Sequence, residues 1–282
     1  MGLLTVDNIT LSERDFRMVS DIIYKHCGIH LHEGKRELVR ARLAKQIRVG
    51  GFSNVEQYLE HVFNDKSGRA FSTLVDSLST NLTSFFRENQ HFDYLQHQHL
   101  PDLMQRKQRQ HRQRLRAWSA GCSSGEEPYT IAITLLDAVQ GKGTWDIKVL
   151  GTDISTRMLE TARKGIYSGQ RVAPVPGILK QRYLLPTKVG GQKHYEVGKP
   201  LRDVVILKYL NLMEDWPIQG PIDVIFCRNV MIYFDKPTQE RLVNRYYDVL
   251  DHKGVLFTGH SESLTGIRHG FTYVEPTIYM KP

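Results

Sequence analysis

The sequence is poor in cysteine: it has three, Cys27, Cys122 and Cys227, among 282 residues, and they lie far apart. An odd and widely spaced set argues against a disulfide framework and fits a reducing compartment. The first residues lack the basic and apolar regions of a signal peptide, and no apolar run approaches the roughly 20 residues that span a bilayer. We therefore expect a cytoplasmic protein with no segment inserted in the membrane.

Two phosphate-binding motifs are also missing. Residues 119–130, SAGCSSGEEPYT, form a small-residue turn before a predicted helix, but they contain neither G-x-G-x-x-G nor the G-K-[ST] of a P-loop. Glu126 and Glu127 stand where the start of that helix would otherwise receive a phosphate. Two carboxylates would repel an anion there, although acidic residues also suit the helix dipole without binding any ligand.

Acidic residues are fewer than basic ones, 30 against 38, which gives a formal net charge of +8. The surplus is concentrated in residues 35–48, with six basic residues and one acidic, and in residues 106–116, with six basic and no acidic residue. Such charge indicates an acidic partner, which could be nucleic acid, anionic lipid or a protein surface. A solvated basic helix is the alternative for residues 35–48.

The pattern of the chain changes after about residue 80. Residues 1–80 predict a small all-helical domain, in which Ser12 starts a helix and Gly28 ends it. From about residue 114, strands alternate with helices, which predicts parallel βαβ units in an α/β sheet with helices on both faces. The last two apolar stretches predict antiparallel edge strands.

Residues 168–202, approximately, interrupt this alternation. They are rich in Gly and Pro and are longer than a βα connection requires. We expect an inserted antiparallel β-subdomain here, with Gly190-Gly191 at a hairpin turn.

A cationic nucleoside without a phosphate would fit the two glutamates after the turn. S-adenosylmethionine is such a ligand, because it has a sulfonium and an α-ammonium group. Ligands of open α/β sheets bind outside the carboxyl ends of the strands. Glu126 would take the ammonium there, and Asp153, at the end of the predicted second strand, would take the ribose hydroxyls. Asp153 could instead cap the following helix.

Six segments together resemble the CheR family, S-adenosylmethionine-dependent methyltransferases that esterify glutamates on bacterial chemoreceptors. They are TNLTSFFRE (80–88), WSAGCSSGEEPYTIA (118–132), GTDIS (151–155), LNL (210–212), IFCRNVMIYFD (225–235) and GHSES (259–263). The likeness covers almost the whole chain. It implies a Rossmann-like class I methyltransferase sheet in a domain of residues 81–282, which contains the β-subdomain, after the N-terminal all-helical domain of residues 1–80.

The resemblance also implies a set of site residues. Those that match cofactor contacts are Asn81, Thr83, Arg87, Glu126, Asp153, Asn211, Leu212, Asn229 and Val230. Arg87 and Tyr233 would flank the transfer site, where we expect Arg87 to orient a carboxylate and Tyr233 to shape the methyl pocket. Each of these residues also has a structural explanation, as a helix cap, a strand end or a buried aromatic side chain.

The resemblance further implies that the helical domain lies over the methylation helices of a receptor. The candidate substrate contacts are Lys35, Arg36, Arg40, Arg42, Lys45 and Arg48. The product would be S-adenosylhomocysteine. The protein is expected to be a monomer that is recruited to membrane-bound receptor arrays. Some relatives bind a pentapeptide at the receptor C-terminus through the β-subdomain, and whether this chain does so stays open, as do the receptor and its glutamates.

Particular residues distinguish this function from others. A methyltransferase acting on another protein or on nucleic acid is the nearest alternative. Nucleic-acid amino-methylating enzymes carry [D/N]-P-P-[Y/F] after the fourth strand, whereas this chain has RNVMIYF at 228–234, so we expect no nucleic-acid substrate. A non-catalytic cofactor sensor would not need Arg87, Glu126, Asp153 and Asn229 together.

A metal centre is a further alternative. Two groups of potential ligands stand on the chain: Cys27, His30 and His32, and His91, His97 and His99. Their spacing fits no standard zinc pattern. We therefore expect no metal in the reaction.

Overall fold

The computed structural model describes residues 9–79 and 81–282. Residues 1–8, on which the signal-peptide expectation rests, and Thr80, the first residue of TNLTSFFRE, lie outside the described residues. Among the described residues, no helix is both long and apolar enough to cross a membrane.

The N-terminal part is helical and has its own apolar core. Its helices are α1 (Glu13–Cys27), α2 (Arg36–Gly50), α3 (Val55–Asn64) and α4 (Arg69–Leu78). Ser12 and Asp15 form a reciprocal capping box at the start of α1, and Gly28 ends it with a φ of 69°, as the sequence predicts. Val19, Ile23 and other buried residues of the four helices pack together in this core.

The C-terminal part is built on a seven-stranded sheet. Its strands, in spatial order, are β6 (Val205–Tyr209), β2 (Asp146–Asp153), β1 (Arg114–Ala120), β7 (Ile222–Cys227), β8 (Leu250–Thr258), β10 (Ile278–Met280) and β9 (Thr272–Glu275). The first five strands are parallel, and β10 is antiparallel to β8 and β9. This confirms the α/β sheet and its antiparallel edge.

The sheet is buried on both faces, as parallel sheets are. Successive residues of β1 point to opposite faces of the sheet and belong to two separate apolar cores. Ala117 belongs to the core that contains Ile131, and Trp118 belongs to the core that contains Tyr246. The helices of this part are α5 (Gln90–Tyr94), α6 (Leu100–Arg109), α7 (Glu126–Ala138), α8 (Thr156–Lys164), α9 (Gly177–Tyr183), α10 (Lys199–Val204) and α11 (Lys236–Val249).

The expected insertion is a separate three-stranded antiparallel sheet. Its strands, in spatial order, are β3 (Ile166–Ser168), β5 (Gln192–Val197) and β4 (Leu184–Val189). Gly190 and Gly191 join β4 to β5 with φ values of 55° and 79°, a backbone that glycine adopts at little cost. The strands thus begin at Ile166, and α9, which the sequence analysis did not predict, precedes β4.

Candidate active site

A cleft of about 450 Å³ lies where the carboxyl ends of β1, β2, β6 and β7 meet the helical part. This is the edge at which open α/β sheets bind ligands. Three hydrogen bonds join the two parts beside it: Tyr24 Oη to Asp235 Oδ2 (2.8 Å), the His30 amide to the Tyr233 carbonyl (2.7 Å), and Asn211 Nδ2 to the His26 carbonyl (2.5 Å). The helical part therefore forms one wall of the cleft.

The turn after β1 brings backbone to the cleft surface. Gly121 has a φ of 88°, and a Cβ atom there would lie 2.4 Å from Val230 Cγ2. Glycine is thus required both by the backbone conformation and by the close approach of Val230. A ligand in the cleft can lie against this main chain.

Asp153 lies at the end of β2, at the wall of the cleft. Its Oδ2 accepts the Ser123 amide at 2.7 Å and its Oδ1 accepts the Ser155 amide at 2.8 Å. Burial raises the pKa of Asp153 to about 6, because desolvation outweighs these hydrogen bonds. Ser155, and not Asp153, caps α8 with its side chain.

The adjacent glutamates face different surroundings. Glu127 lines the cleft, and its carboxylate accepts Ser119 Oγ at 2.6 Å and Arg228 Nε at 2.8 Å. Glu126 is not among the residues that line the cleft: it is fully buried and forms an ion pair with Arg171. Successive helical residues point about 100° apart, so α7 can direct only one of them into the cleft.

The segment after β7 is fixed by a buried carboxylate. Asn229 has a φ of 60°, and its amide donates to Glu262 Oε2 at 2.7 Å. Glu262 also accepts the amides of Gly259 (2.6 Å) and Ile232 (3.1 Å). Burial raises the pKa of Glu262, although its backbone hydrogen bonds oppose that shift. Glu262 belongs to the segment GHSES (259–263), and no local signal in the sequence indicates that it fixes the residues after β7.

Arg87 is held at the cleft by two hydrogen bonds. Its guanidinium donates to Asn229 Oδ1 (2.7 Å) and to the Leu82 carbonyl (2.7 Å). Behind it, buried Arg228 donates to the Arg87 carbonyl as well as to Glu127. Arg228 lies in the segment IFCRNVMIYFD (225–235) but was not among the expected site residues, because its partners are distant in sequence.

Nine of the ten residues expected to bind the cofactor or carry the transfer line this cleft. They are Asn81, Thr83, Arg87, Asp153, Asn211, Leu212, Asn229, Val230 and Tyr233. The tenth, Glu126, lies outside it. The Asn211 side chain is already engaged, since it donates to His26 and Glu214 and accepts the Met213 amide.

The six basic residues expected to contact substrate separate into distinct groups. Arg36, Arg40 and Arg42 donate to main-chain carbonyls of the helical part and its C-terminal edge, those of Leu11, Ile9, Leu78 and Ser79. Lys35 and Arg42 both line the cleft, and Lys35 Nζ lies 5.2 Å from the centre of the Tyr233 ring. Lys45 and Arg48 are exposed on α2.

The cleft fits S-adenosylmethionine in chemistry. Glu127 keeps the capacity to accept an ammonium, because a carboxylate has about four lone-pair positions and two donors occupy it here. Asp153, Leu212 and Val230 add an acidic group and apolar surface. Within residues 9–79 and 81–282, no group of three or more His, Cys, Asp and Glu is placed to hold a metal ion.

Both the helical part and the part built on the sheet match known proteins. Residues 14–79 match the CheR methyltransferase all-alpha domain, and residues 81–280 match the CheR methyltransferase SAM binding domain. The chain is similar to chemotaxis protein methyltransferase 2 of Pseudomonas aeruginosa, with 41% identity over 95% of this chain and 93% of the relative. The corresponding protein of Borreliella burgdorferi is 38% identical over 97% and 96%, and that of Escherichia coli 37% over 98% and 94%.

Solved structures overlap with less of the chain. An S-adenosylmethionine-dependent methyltransferase from Mesorhizobium loti aligns with 51% of this chain and 45% of its own, at 16% identity and a TM-score of 0.29. Family membership therefore rests on the sequence matches, which extend over the helical part and the sheet. By these matches, this chain belongs to the CheR family of methyltransferases.

Proposed function

We propose that this protein transfers the methyl group of S-adenosylmethionine to glutamate side chains of chemoreceptors and forms methyl esters. The observation that carries the proposal is the cleft at the carboxyl edge of the sheet, where Glu127 and Asp153 face a wall shared with Arg87. The names of the similar chemotaxis methyltransferases support the chemoreceptor as the substrate.

The residues that would hold the cofactor follow from their positions. Glu127 takes the ammonium, Asp153 takes the ribose hydroxyls, and Asn211 with Leu212 borders the adenine. Gly121 lets the ligand approach the main chain. Glu127 thereby replaces Glu126 in the role expected from the sequence, because Glu126 is enclosed with Arg171 away from the cleft.

The acceptor needs no general base. S-adenosylmethionine, when bound, supplies a methyl group carried on a sulfonium cation. A glutamate side chain is already ionised near neutral pH, since its ordinary pKa is about 4.3. Opposite charges disappear as the ester forms, so the apolar walls that exclude water favour the reaction. His91, whose pKa burial and Arg228 lower to about 3, is neutral and lies behind the cleft wall.

Arg87 orients the acceptor in this account. Its guanidinium has five N–H donors, and two hydrogen bonds fix its position while the side chain stays about one-third exposed. A cation on the acceptor stabilises the charged ground state more than the transition state. Its benefit is therefore alignment, and Tyr233 shapes the space beside it.

The rim of the cleft suits an acidic helix with apolar residues beside its glutamate. Leu38, Leu82 and Ile232 line the cleft and are all exposed, Leu82 by 78%. Lys35 lies on the same rim. We assign the substrate contact to this apolar rim with Lys35, rather than to the whole basic segment of residues 35–48.

A peptide tether is a further part of the proposal. The strand β4 is an edge of the three-stranded sheet, and Leu185 and Val189 are exposed on it. An edge strand presents unpaired backbone groups to which an extended receptor pentapeptide can add. Recruitment of a monomer to receptor arrays through this strand stays a prediction.

The experiment is incubation with methyl-labelled S-adenosylmethionine and receptor cytoplasmic fragments. The proposal expects base-labile label on the receptor fragment, because esters hydrolyse in base whereas methylated amines do not. Base-stable label, or label on added nucleic acid at about 150 mM salt, where non-specific charge binding weakens, would contradict it.

A further inference from the structure

Glu126, the glutamate that does not line the cleft, is part of a polar cluster behind it. Its side chain has 0% exposure, and its Oε2 accepts Ser124 Oγ at 2.8 Å. Its Oε1 is paired with the Arg171 guanidinium. Arg171 in turn donates to Ser124 Oγ at 2.6 Å. One arginine thus contacts both Ser124 in the turn and Glu126, the first residue of α7.

Arg171 comes from the β-subdomain rather than from the main sheet. It follows β3 by three residues, and its guanidinium lies 5.2 Å from the centre of the Tyr167 ring. Tyr167 Oη donates to the Ser124 carbonyl at 2.7 Å. A Cβ atom on Gly125, which has a φ of 97°, would lie 2.8 Å from that Tyr167 oxygen. The entry to the subdomain therefore holds the turn closely from outside.

The inner side of the same turn faces the ligand. Gly121 and Ser123 line the cleft, and the Ser123 amide donates to Asp153. Ser123 has a φ of 48°, a left-handed conformation that is costly for a non-glycine residue and needs surrounding contacts to persist. The contacts made by Arg171 and Tyr167 on the next residues supply such support.

The ion pair between Glu126 and Arg171 affects the conformation of the turn because of its charges. Glu126 is enclosed without solvent, and Arg171 is its cationic partner in the structure. The Arg171 side chain is 38% exposed, so only the Glu126 carboxylate is enclosed. Removal of Arg171 leaves that enclosed carboxylate without its cation, and the structure around it must rearrange. Here the most direct rearrangement is of residues 121–126, which carry the cleft surface.

We propose that Arg171 is a positioning residue for the cofactor turn: by pairing with Glu126 and Ser124 it sets the conformation of residues 121–125, and so links the β-subdomain to cofactor affinity. The inference rests on the proposed function, because it takes the cleft to be the S-adenosylmethionine site. Arg171 is not among the residues that line the cleft and acts through the turn.

The test measures S-adenosylhomocysteine binding by calorimetry to full-length variants, with thermal unfolding recorded for each. Arg171→Met keeps the aliphatic stem and removes the charge. The matched control is Arg182→Met: Arg182 also reaches α7 from the subdomain, through Asp137 at 2.6 Å, but at the other end of the helix. Arg171→Met should weaken binding by at least about fivefold, and Arg182→Met by less than about twofold.

Further variants separate positioning from loss of stability. Glu126→Gln should also weaken binding, and Glu126→Gln with Arg171→Met should lose less than the product of the two single effects, because no charge remains buried. Arg171→Lys, which keeps the charge without the planar fork, should fall between wild type and Arg171→Met. If Arg171→Met does not fold, the test uses the double variant instead. Its affinity for S-adenosylhomocysteine should be lower than that of the wild type.

Two outcomes overturn the inference. One is wild-type affinity in Arg171→Met, or in the double variant where that protein replaces it. The other is an equal loss of affinity in Arg171→Met and Arg182→Met, which would show a general effect on stability. Wild-type protein that binds no S-adenosylhomocysteine would instead refute the proposed function, so the two failures are distinguishable.

Discussion

Two neighbouring carboxylates, Glu126 and Glu127, have different surroundings, and we propose different roles for them. Glu127 faces the cleft with Ser119 and Arg228, and Glu126 faces Arg171 and Ser124. The resemblance to the CheR family assigned the ammonium to Glu126, and no local signal in the sequence fixes which side of α7 meets the ligand. Every residue of 126–135 is buried, so this part of the helix has no polar stripe from which to read its rotation.

The first prediction concerns Glu127. Glu127→Gln should weaken S-adenosylhomocysteine binding by about 10-fold to 100-fold, since it removes a charge that meets the ligand ammonium and leaves Arg228 with the more distant carboxylate of Glu88, at 3.6 Å. Calorimetry measures the dissociation constant. Glu160→Gln on the exposed side of α8 is the control, and equal binding by both variants and the wild type would remove Glu127 from the site.

The second prediction concerns the pH dependence of Asp153. Its pKa of about 6 in the folded protein lies above the ordinary value, so its ionised form, which accepts ribose hydroxyls, is lost as the pH falls below about 6. Binding of S-adenosylhomocysteine should weaken between pH 7 and pH 5 in the wild type. Titrations of Asp153→Asn over the same range should give weak binding with little of this dependence.

Asp153 changes the free energy of unfolding with pH in the direction opposite to that of a salt-bridged carboxylate. Because the folded-state pKa of Asp153 is raised by burial and by Asp76, the folded protein binds more protons than the unfolded chain between about pH 4 and pH 6. This group therefore makes the free energy of unfolding fall as the pH rises through that window. A denaturant series should show a smaller fall in Asp153→Asn than in the wild type, because other buried carboxyls with raised pKa values, such as Glu262, contribute to the fall in both proteins; an equal fall in both proteins would assign it to those other groups.

At the scale of elements, the segment after β7 depends on a residue far away in sequence. Glu262 accepts the main-chain amides of the left-handed Asn229 and of Ile232. This segment supplies Asn229, Val230 and Tyr233 to the cleft. A buried carboxylate with several amide donors is hard to replace by a neutral group, because an amide nitrogen would face those donors.

The third prediction follows from that arrangement. Glu262→Gln should lower the free energy of unfolding by about 1–3 kcal/mol and should also reduce methyl transfer, since Asn229 would no longer hold Arg87 in place. Glu275→Gln, on exposed β9, serves as the control. Thermal unfolding and initial rates test both effects, and a stable Glu262→Gln protein with normal rates would show that the segment holds its shape without this carboxylate.

Most elements follow from the sequence, and the exceptions have physical causes. Capping at Ser12, the Gly28 stop and the Gly190-Gly191 turn are local signals, and the structure confirms them. The helix α9 lies in a segment rich in Gly and Pro whose local signals favour turns and strands. Its formation reflects packing: Leu179 and Tyr183 contact the main apolar core, which no local pattern reveals.

At the scale of the whole molecule, the helical part completes the active cleft. Cys27, Ile29 and Leu31 line it from one side, while the sheet lines it from the other. The sequence predicts each part but not their relative placement, which depends on hydrogen bonds such as Tyr24 to Asp235 across 211 positions of the chain. The same limit explains why the sequence does not reveal that Arg36, Arg40 and Arg42 donate to main-chain carbonyls; their contact with a substrate stays a prediction.

The fourth prediction distinguishes basic residues by their position. Lys35→Glu, at the rim, should raise KM for receptor fragments severalfold at low ionic strength, with the effect shrinking as salt screens the charge. Lys45→Glu makes the same change in net charge on exposed α2 and should have a smaller effect. Equal changes in KM would favour general attraction by the whole basic segment over contact at the cleft rim.

The measurement that tests the account most directly is mass-spectrometric mapping of receptor fragments after incubation with the protein and S-adenosylmethionine. The account predicts methyl groups on glutamate side chains, removed by mild base, with far less product from Arg87→Ala protein that retains its fold. Methyl groups on lysine or on other side chains, or equal product from the Arg87→Ala protein, would contradict it.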